Sequence, residues 1–282
     1  MAERKIGVMV ESFRLGLRPG IEKAAAIGAD GVQIYATSGE MDPDNLDAAA
    51  RKELGSFVAD KGLVISALCA DLGGHGFERA EDNEWKVSRS MRIMDLAVEL
   101  GTGVVTTHIG VVPNEPNDMY KIMQDACNEL AEYGDKVGAT FAIETGPEPA
   151  TVLKGFLDSL DGRGVRVNFD PANLVMVIGE DPAQSVKTLG DYIVHTHAKD
   201  GRMVKKEDPR VVYGWFADGG IEDVHLADYF IETPLGDGDV DFPAYLAALD
   251  GTGYDGFLTI EREVGEDPVA DIEKAIGFLQ GL

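Results

Sequence analysis

Short apolar runs alternate along the chain with longer stretches in which apolar side chains recur every three or four positions. The short runs read as buried strands at 6–10, 31–35, 64–69, 104–108, 140–144, 165–169, 192–198 and 257–261. The amphipathic stretches between them predict helices at 19–27, 47–60, 84–100, 117–137, 150–160, 182–189, 243–249 and 268–279. Within 84–100, Val87, Met91, Met94 and Val98 follow spacings of four, three and four, which would share one helix face. Gly28, Gly62, Gly101, Gly138 and Gly253 fall at or just past predicted helix ends, where a left-handed cap favours glycine.

Eight strand–helix pairs in 282 residues fit a (β/α)8 barrel, for which about 250 residues is typical. The expected fold is therefore a single (β/α)8 TIM barrel over 1–282. The polar stretch 199–241 reads as a long loop insertion after strand seven, of the kind that often serves as a lid. A doubly wound open sheet is disfavoured, because no Gly-x-Gly-x-x-Gly follows the first strand and no residues are left for a second domain.

Composition narrows the function. Hydrophobic residues make up 44%, enough for a sizeable core. Asp plus Glu total 50 against 25 Lys plus Arg, for a formal net charge of -25. Such a surface repels phosphate backbones and anionic lipids, so neither a nucleic acid nor a membrane is expected as a partner. No run approaches the ~18 apolar residues that span a bilayer. The charged start, residues 1–5, leads straight into a strand without a signal-peptide core. With only Cys69 and Cys127, at most one disulfide could form, and two free thiols in a cytoplasmic protein are expected. A homo-oligomer is compatible with all of this.

The chemistry sits at strand ends, where a barrel of this kind places its active site. His108 ends strand four, Glu144 strand five, Asp170 follows strand six, His195 and His197 lie in strand seven, and Glu261 ends strand eight. Period-two alternation puts Ala142 with Glu144, Asn168 with Asp170, His195 with His197 and Thr259 with Glu261. Phe141, Ile143, Val167, Val194, Leu258 and Ile260 take the opposite faces, towards the helices. The polar set thus converges on the barrel axis. Burying several unpaired carboxylates costs several kcal/mol each, and a divalent cation resolves it. Three carboxylates and an imidazole suit Mn2+, with Mg2+ or Co2+ as alternatives. His195, one pleat deeper than His197, is expected to support rather than ligate.

The ordered set of Ala-Ile-Glu-Thr at Glu144, Asn-Phe-Asp-Pro at Asp170, His-Thr-His at His197 and Thr-Ile-Glu-Arg at Glu261 resembles the sugar phosphate isomerase/epimerase superfamily, the xylose-isomerase-like barrels. Residues 234–242 also resemble that family's loop before helix seven. The resemblance implies that Glu144, Asp170, His197 and Glu261 bind one divalent metal. It also implies that Glu144 and Glu261 move the protons of a sugar held between them. Two positions depart from the ketose 3-epimerases. Ala150 stands where a second glutamate is expected, with Glu148 nearby, and Asn173 stands where a substrate-binding histidine is expected. Arg202 matches an arginine expected past the metal histidine.

The expected substrate contacts are therefore His108, Asn173, His75 in a glycine-rich loop, and Arg202. Lys199 could hold a substrate oxygen or balance the carboxylates. Trp215 and Phe216 could cover a sugar face or make an oligomer contact. The region after strands seven and eight holds Arg202, Lys205, Lys206 and Arg262 beside many acids but no glycine-rich phosphate cradle, which favours a non-phosphorylated sugar or glycoside. The expected activity is a metal-dependent sugar isomerase or epimerase working through an enediolate. The alternative is a lyase on the same site, dehydrating a keto-inositol or cleaving an oxidised glycoside.

Overall fold

A computed structural model describes residues 4–221 and 224–282. Met1–Glu3, the start of the charged N-terminal stretch, and Glu222 and Asp223, in the acidic surroundings of His225, lie outside the described residues.

In chain order the elements are β1 (Lys5–Met9), α1 (Leu17–Ala26), β2 (Gly31–Tyr35), α2 (Ala48–Asp60), β3 (Val64–Cys69), α3 (Ala80–Glu99), β4 (Val104–Thr107), α4 (Asp118–Val137) and β5 (Thr140–Glu144). There follow α5 (Ala150–Asp158), β6 (Val165–Phe169), α6 (Pro171–Asn173), α7 (Pro182–Leu189), β7 (Ile193–Ala198), β8 (Asp200–Met203), α8 (Pro209–Ala217), β9 (Phe230–Thr233), α9 (Phe242–Asp250), β10 (Phe257–Ile260) and α10 (Pro268–Gln280). Among the described residues, β1 to β7 and β10 close into an eight-stranded barrel. Every neighbouring pair runs parallel, and β10 joins β7 to β1. This is a (β/α)8 barrel.

Helix starts are written in short polar side chains. Asp47, Asn117, Asp181, Asp241 and Asp267 each accept a hydrogen bond from a backbone N–H of the first helical turn. Proline stands in the first turn of α7, α9 and α10, where its missing N–H costs nothing. The apolar stripe of α4, Met123, Ala126, Cys127, Leu130 and Ala131, is buried at three- and four-residue spacing. In α3 the buried face runs through Val87, Ser90, Ile93, Met94 and Ala97. Val98, expected on that face, lies on its flank and is 43% exposed.

The segment expected as one long loop carries structure of its own. β8 and β9 form an antiparallel pair, and α8 lies between them in sequence. Asp200, at the base of this pair, accepts hydrogen bonds from the backbone of Gly236, Gly238 and Val240, and so pins the loop that leads into α9. Among the described residues no helix is long and apolar enough to cross a membrane. Cys69 and Cys127 are buried free thiols. Burial alone pushes Cys127 up to about 12, so it stays a thiol and packs as a small apolar side chain.

Candidate active site at the barrel mouth

Register explains why the polar residues meet. Glu144 pairs with Asn168 across β5 and β6, and His197 pairs with Thr259 across β7 and β10. Asp170 and Glu261 follow Asn168 and Thr259 by two residues, on the same inward face. Phe141, Ile143, Val167, Leu258 and Ile260 are buried on the outer face against the helices, while Val194 is half-buried.

Glu144, Asp170, His197 and Glu261 each offer a ligand atom, and these atoms all lie within 4.8 Å of one another. His197 Nδ1 is 3.3 Å from Glu261 Oε2, 3.4 Å from Asp170 Oδ2 and 3.6 Å from Glu144 Oε2. Both His197 Nδ1 and Asp170 Oδ2 are buried and have no hydrogen-bond partner. Two orphaned buried polar atoms aimed at one point, with two more carboxylates around it, are what a cation site requires. The donor set of three oxygens and one imidazole nitrogen fits a hard or borderline divalent ion.

The surroundings hold each ligand in place. Asn168 Nδ2 donates to Glu144 Oε2 at 3.1 Å, and Asn173 Nδ2 donates to Glu144 Oε1 at 2.9 Å. Asp170 caps the turn of α6 by accepting from Asn173 N at 2.9 Å. Lys199 Nζ donates to Glu261 Oε2 at 2.9 Å and also touches the Glu263 carboxylate. Burial works against the charge of Glu261, but Lys199 and His197 outweigh it and hold this carboxyl well below the usual range. His195 is 2.9 Å from both Gln33 Oε1 and Thr259 Oγ1. Burial and the neighbouring His197 push it down to about 3, so it is neutral and stands beneath the cluster.

A cavity of about 350 Å³ opens above this cluster, with Glu144 and Glu261 in its lining. His108 lines it, with Nδ1 3.1 Å from Asp71 Oδ2 and Nε2 3.5 Å from Glu144 Oε1. Burial disfavours its charge, but Glu144, Asp71 and Glu261 outweigh this and raise its pKa to about 10. His75 and Asn173 also line the cavity, and His75 Nε2 lies 2.9 Å from Asp218 just past α8. α8 supplies Tyr213 and Phe216 to the wall. Trp215 instead donates to Val224 O and packs edge-on against Phe216.

Gly146 makes room for this arrangement. A Cβ there would lie 2.5 Å from Asn173 Cβ and 2.6 Å from the Tyr213 hydroxyl oxygen, and φ is +149°.

Arg202 stands apart from the other expected substrate contacts. It is not part of the cavity wall; its side chain is 53% exposed, lies 3.3 Å from Asp239 Oδ1, and contacts Asp237 O. The antiparallel pairing of β8 with β9 sets it opposite Ile231, itself 49% exposed, on the outward face of the hairpin.

Sequence reasoning assigned no role to four contributors, of which Asn168 alone had been placed on the inward face. Asp71 and Tyr213 lie on loop and lid segments whose placement depends on the whole fold. Gln33 and Asn168 are fully buried amides on inward strand positions. Their signal was present: a polar residue in an otherwise apolar strand, at the parity of the ligands.

A family model described as xylose isomerase-like TIM barrel matches residues 21–282. The chain belongs to this family. Among its relatives is an inosose dehydratase of Clostridium perfringens, 29% identical over 153 residues, covering 53% of this chain and 48% of the relative. The match thus spans about half the length of that relative. A xylose isomerase domain protein from Planctomyces limnophilus superposes with a TM-score of 0.80 at 24% identity, covering 99% of this chain and 96% of the other. A 3-keto-D-glucoside 4-epimerase from E. coli superposes with a TM-score of 0.73 at 16% identity, covering 99% and 100%. These two likenesses show the shared fold.

Proposed function

We propose that this xylose isomerase-like barrel is a divalent-metal-dependent isomerase or epimerase of a keto-sugar, with the whole of 1–282 acting as one domain. The observation that carries the reading is the pair of orphaned buried atoms, His197 Nδ1 and Asp170 Oδ2, flanked by Glu144 and Glu261 beneath a cavity of about 350 Å³. Glu144, Asp170, His197 and Glu261 would hold the ion, Mn2+ first and Mg2+ or Co2+ next. Lewis-acid stabilisation of negative charge on substrate oxygens is what such an ion supplies when bound.

The protein's own groups do the rest. Glu144 takes the proton from the carbon next to the substrate carbonyl, leaving an enediolate. Glu261, or Glu144 itself, returns a proton. Return to the opposite face inverts the centre, and return to the adjacent carbon moves the carbonyl. His108, held by Asp71, donates to a substrate oxygen, while His75 and Asn173 line the same space. Three of the four cations after strands seven and eight are engaged away from the cavity. Arg262 is ion-paired with Glu232 and Asp271, Lys205 with Glu207, and Arg202 faces outward. This supports a non-phosphorylated carbohydrate.

The similarity to an inosose dehydratase favours a second reading on the same residues. There the same proton abstraction precedes cleavage of the C–O bond one carbon further on, and hydroxide leaves as water after protonation. Incubation with Mn2+ and a panel of keto-inositols, free ketoses and 3-keto-glucosides, followed by NMR, separates the two. An epimer or isomer supports the first reading. An unsaturated or dehydrated product supports the second, and no turnover of any carbonyl substrate overturns both.

A further inference from the structure

We infer that Gln33 is a positioning residue of the metal centre, fixing the tautomer of His197 so that Nδ1 is bare towards the ion. The inference rests on the metal-site part of the proposed function and adds a residue that touches neither ion nor substrate.

Gln33 projects inward from β2 and is fully buried. Its Oε1 lies 3.2 Å from His197 Nε2, on the far side of the imidazole from the carboxylates. A neutral imidazole carries one N–H, and a ligand nitrogen must be the one without it. Nδ1 sits among the three carboxylates at 3.3–3.6 Å, so it is the nitrogen that an ion bound there would meet, and with the ion in place the proton belongs on Nε2. An amide oxygen can only accept, so Gln33 Oε1 stabilises that tautomer. Asn168 Nδ2, a donor 3.2 Å from the same Nε2, favours the opposite one. Of these two amides at equal distance only Gln33 presents an acceptor, and its Oε1 takes a second contact from His195 Nε2 at 2.9 Å.

The amide itself is held the right way round. Its Nε2 donates to Thr106 Oγ1 at 3.0 Å, and that hydroxyl points on towards Leu68 O at 3.5 Å. Turning the amide over would set an NH2 against His197 and require the Thr106 hydroxyl to turn away from Leu68 O to keep its bond. Ligand histidines commonly have such a partner on the second nitrogen, and its loss costs about 10–100-fold in metal affinity. Here the partner is neutral, so it orients the ring without adding a further negative charge to a site that already holds three carboxylates.

The test combines Mn2+ titration by calorimetry with long-range 1H–15N NMR of 15N-histidine-labelled protein loaded with diamagnetic Mg2+. The expected spectrum of the wild-type protein has the His197 proton on Nε2. Gln33→Leu should weaken Mn2+ binding about 10–100-fold, and Gln33→Glu, which keeps an acceptor in place, should restore it. A proton on Nδ1 in the metal-loaded wild-type protein overturns the inference whether or not the variants fold. Folded Gln33→Leu protein with unchanged Mn2+ affinity also overturns it, while leaving the metal site intact. Wild-type protein that binds no divalent ion overturns the metal-site reading and this inference together.

Discussion

The two sides of the barrel mouth hold their glutamates by different means. On the β5–β6 side, Glu144 is met by amide N–H groups from Asn168 and Asn173, and His108 stands 3.5 Å away, itself drawn towards Asp71. On the β7–β10 side, Glu261 is met by the ammonium of Lys199 at 2.9 Å. Lys199 in turn contacts Glu263 and lies 4.0 Å from Glu232, which binds Arg262 at 2.6 Å. One side combines two amide dipoles in direct contact with a more distant imidazole shared with Asp71, and the other places an ammonium of a larger ion network in direct contact. An amide fixes a carboxylate in place while leaving its charge in full, whereas an ammonium fixes it and neutralises it. Two ligands that look equivalent in a list are thus prepared for different work. On our reading Glu144 takes the substrate proton, and Glu261 remains the more permanent charge.

The sharpest way to break this comparison is to remove each basic oxygen in turn. Glu144→Gln and Glu261→Gln should each lower turnover by ~10²-fold or more, the scale of a general base. Glu144→Gln should be the more damaging, with most of the metal retained in both. Equal losses would mean that the two surroundings do not divide the labour. A second difference lies in Glu148, on the Glu144 side. It is buried, its Oε2 accepts from Val112 N, and burial raises its pKa from 4.5 to about 8. Between those values the folded protein holds a proton that the unfolded chain releases, so stability falls as pH rises from about 4.5 to about 8. Glu148→Gln cannot titrate. It should gain on the wild type across that window, to a few kcal/mol above pH 8, as read from urea unfolding at several pH values.

Smaller effects refine the other side. Lys199→Met removes the cation that holds Glu261 ionised, so the pH at which metal is lost on acidification should move upward. Turnover at neutral pH should fall about tenfold. Asn173→Ala, on the dipolar side, should leave that metal-release midpoint where it is. Metal content measured against pH distinguishes the two. Arg202→Ala should change turnover by less than about twofold, because an exposed substitution away from the cavity alters little. A large loss would return that side chain to the substrate.

The barrel was legible because each strand is a short buried run and the helices between them carry apolar stripes, several with an Asp or Asn at the start. The cluster was legible because strand parity places Glu144, Asp170, His197 and Glu261 on one face without knowledge of the fold's details. The hairpin of β8 and β9 was not. Its strands are four residues each, one holds Asp200, Gly201 and Arg202, and neither alternates cleanly. The direction of Arg202 was hidden with it, since the side chain's face depends on the pairing with Ile231. α8 was hidden for a related reason: within a polar stretch, its apolar residues read as isolated aromatics rather than one face of a helix. Gln33 and Asn168 received no role because a single buried amide in a strand resembles packing until its partners are known.

The central claim is that proton transfer at a carbon beside a carbonyl depends on this one cluster. Solvent deuterium wash-in tests it most directly, followed by NMR on whichever keto-sugar or keto-inositol the protein turns over, in D2O. Wild-type protein with Mn2+ should incorporate deuterium at the carbon next to the carbonyl. Incorporation should stop on chelation and fall with turnover in Glu144→Gln. Exchange at the wild-type rate in metal-retaining Glu144→Gln protein, or in chelated wild-type protein, would contradict the account and move the base elsewhere in the mouth.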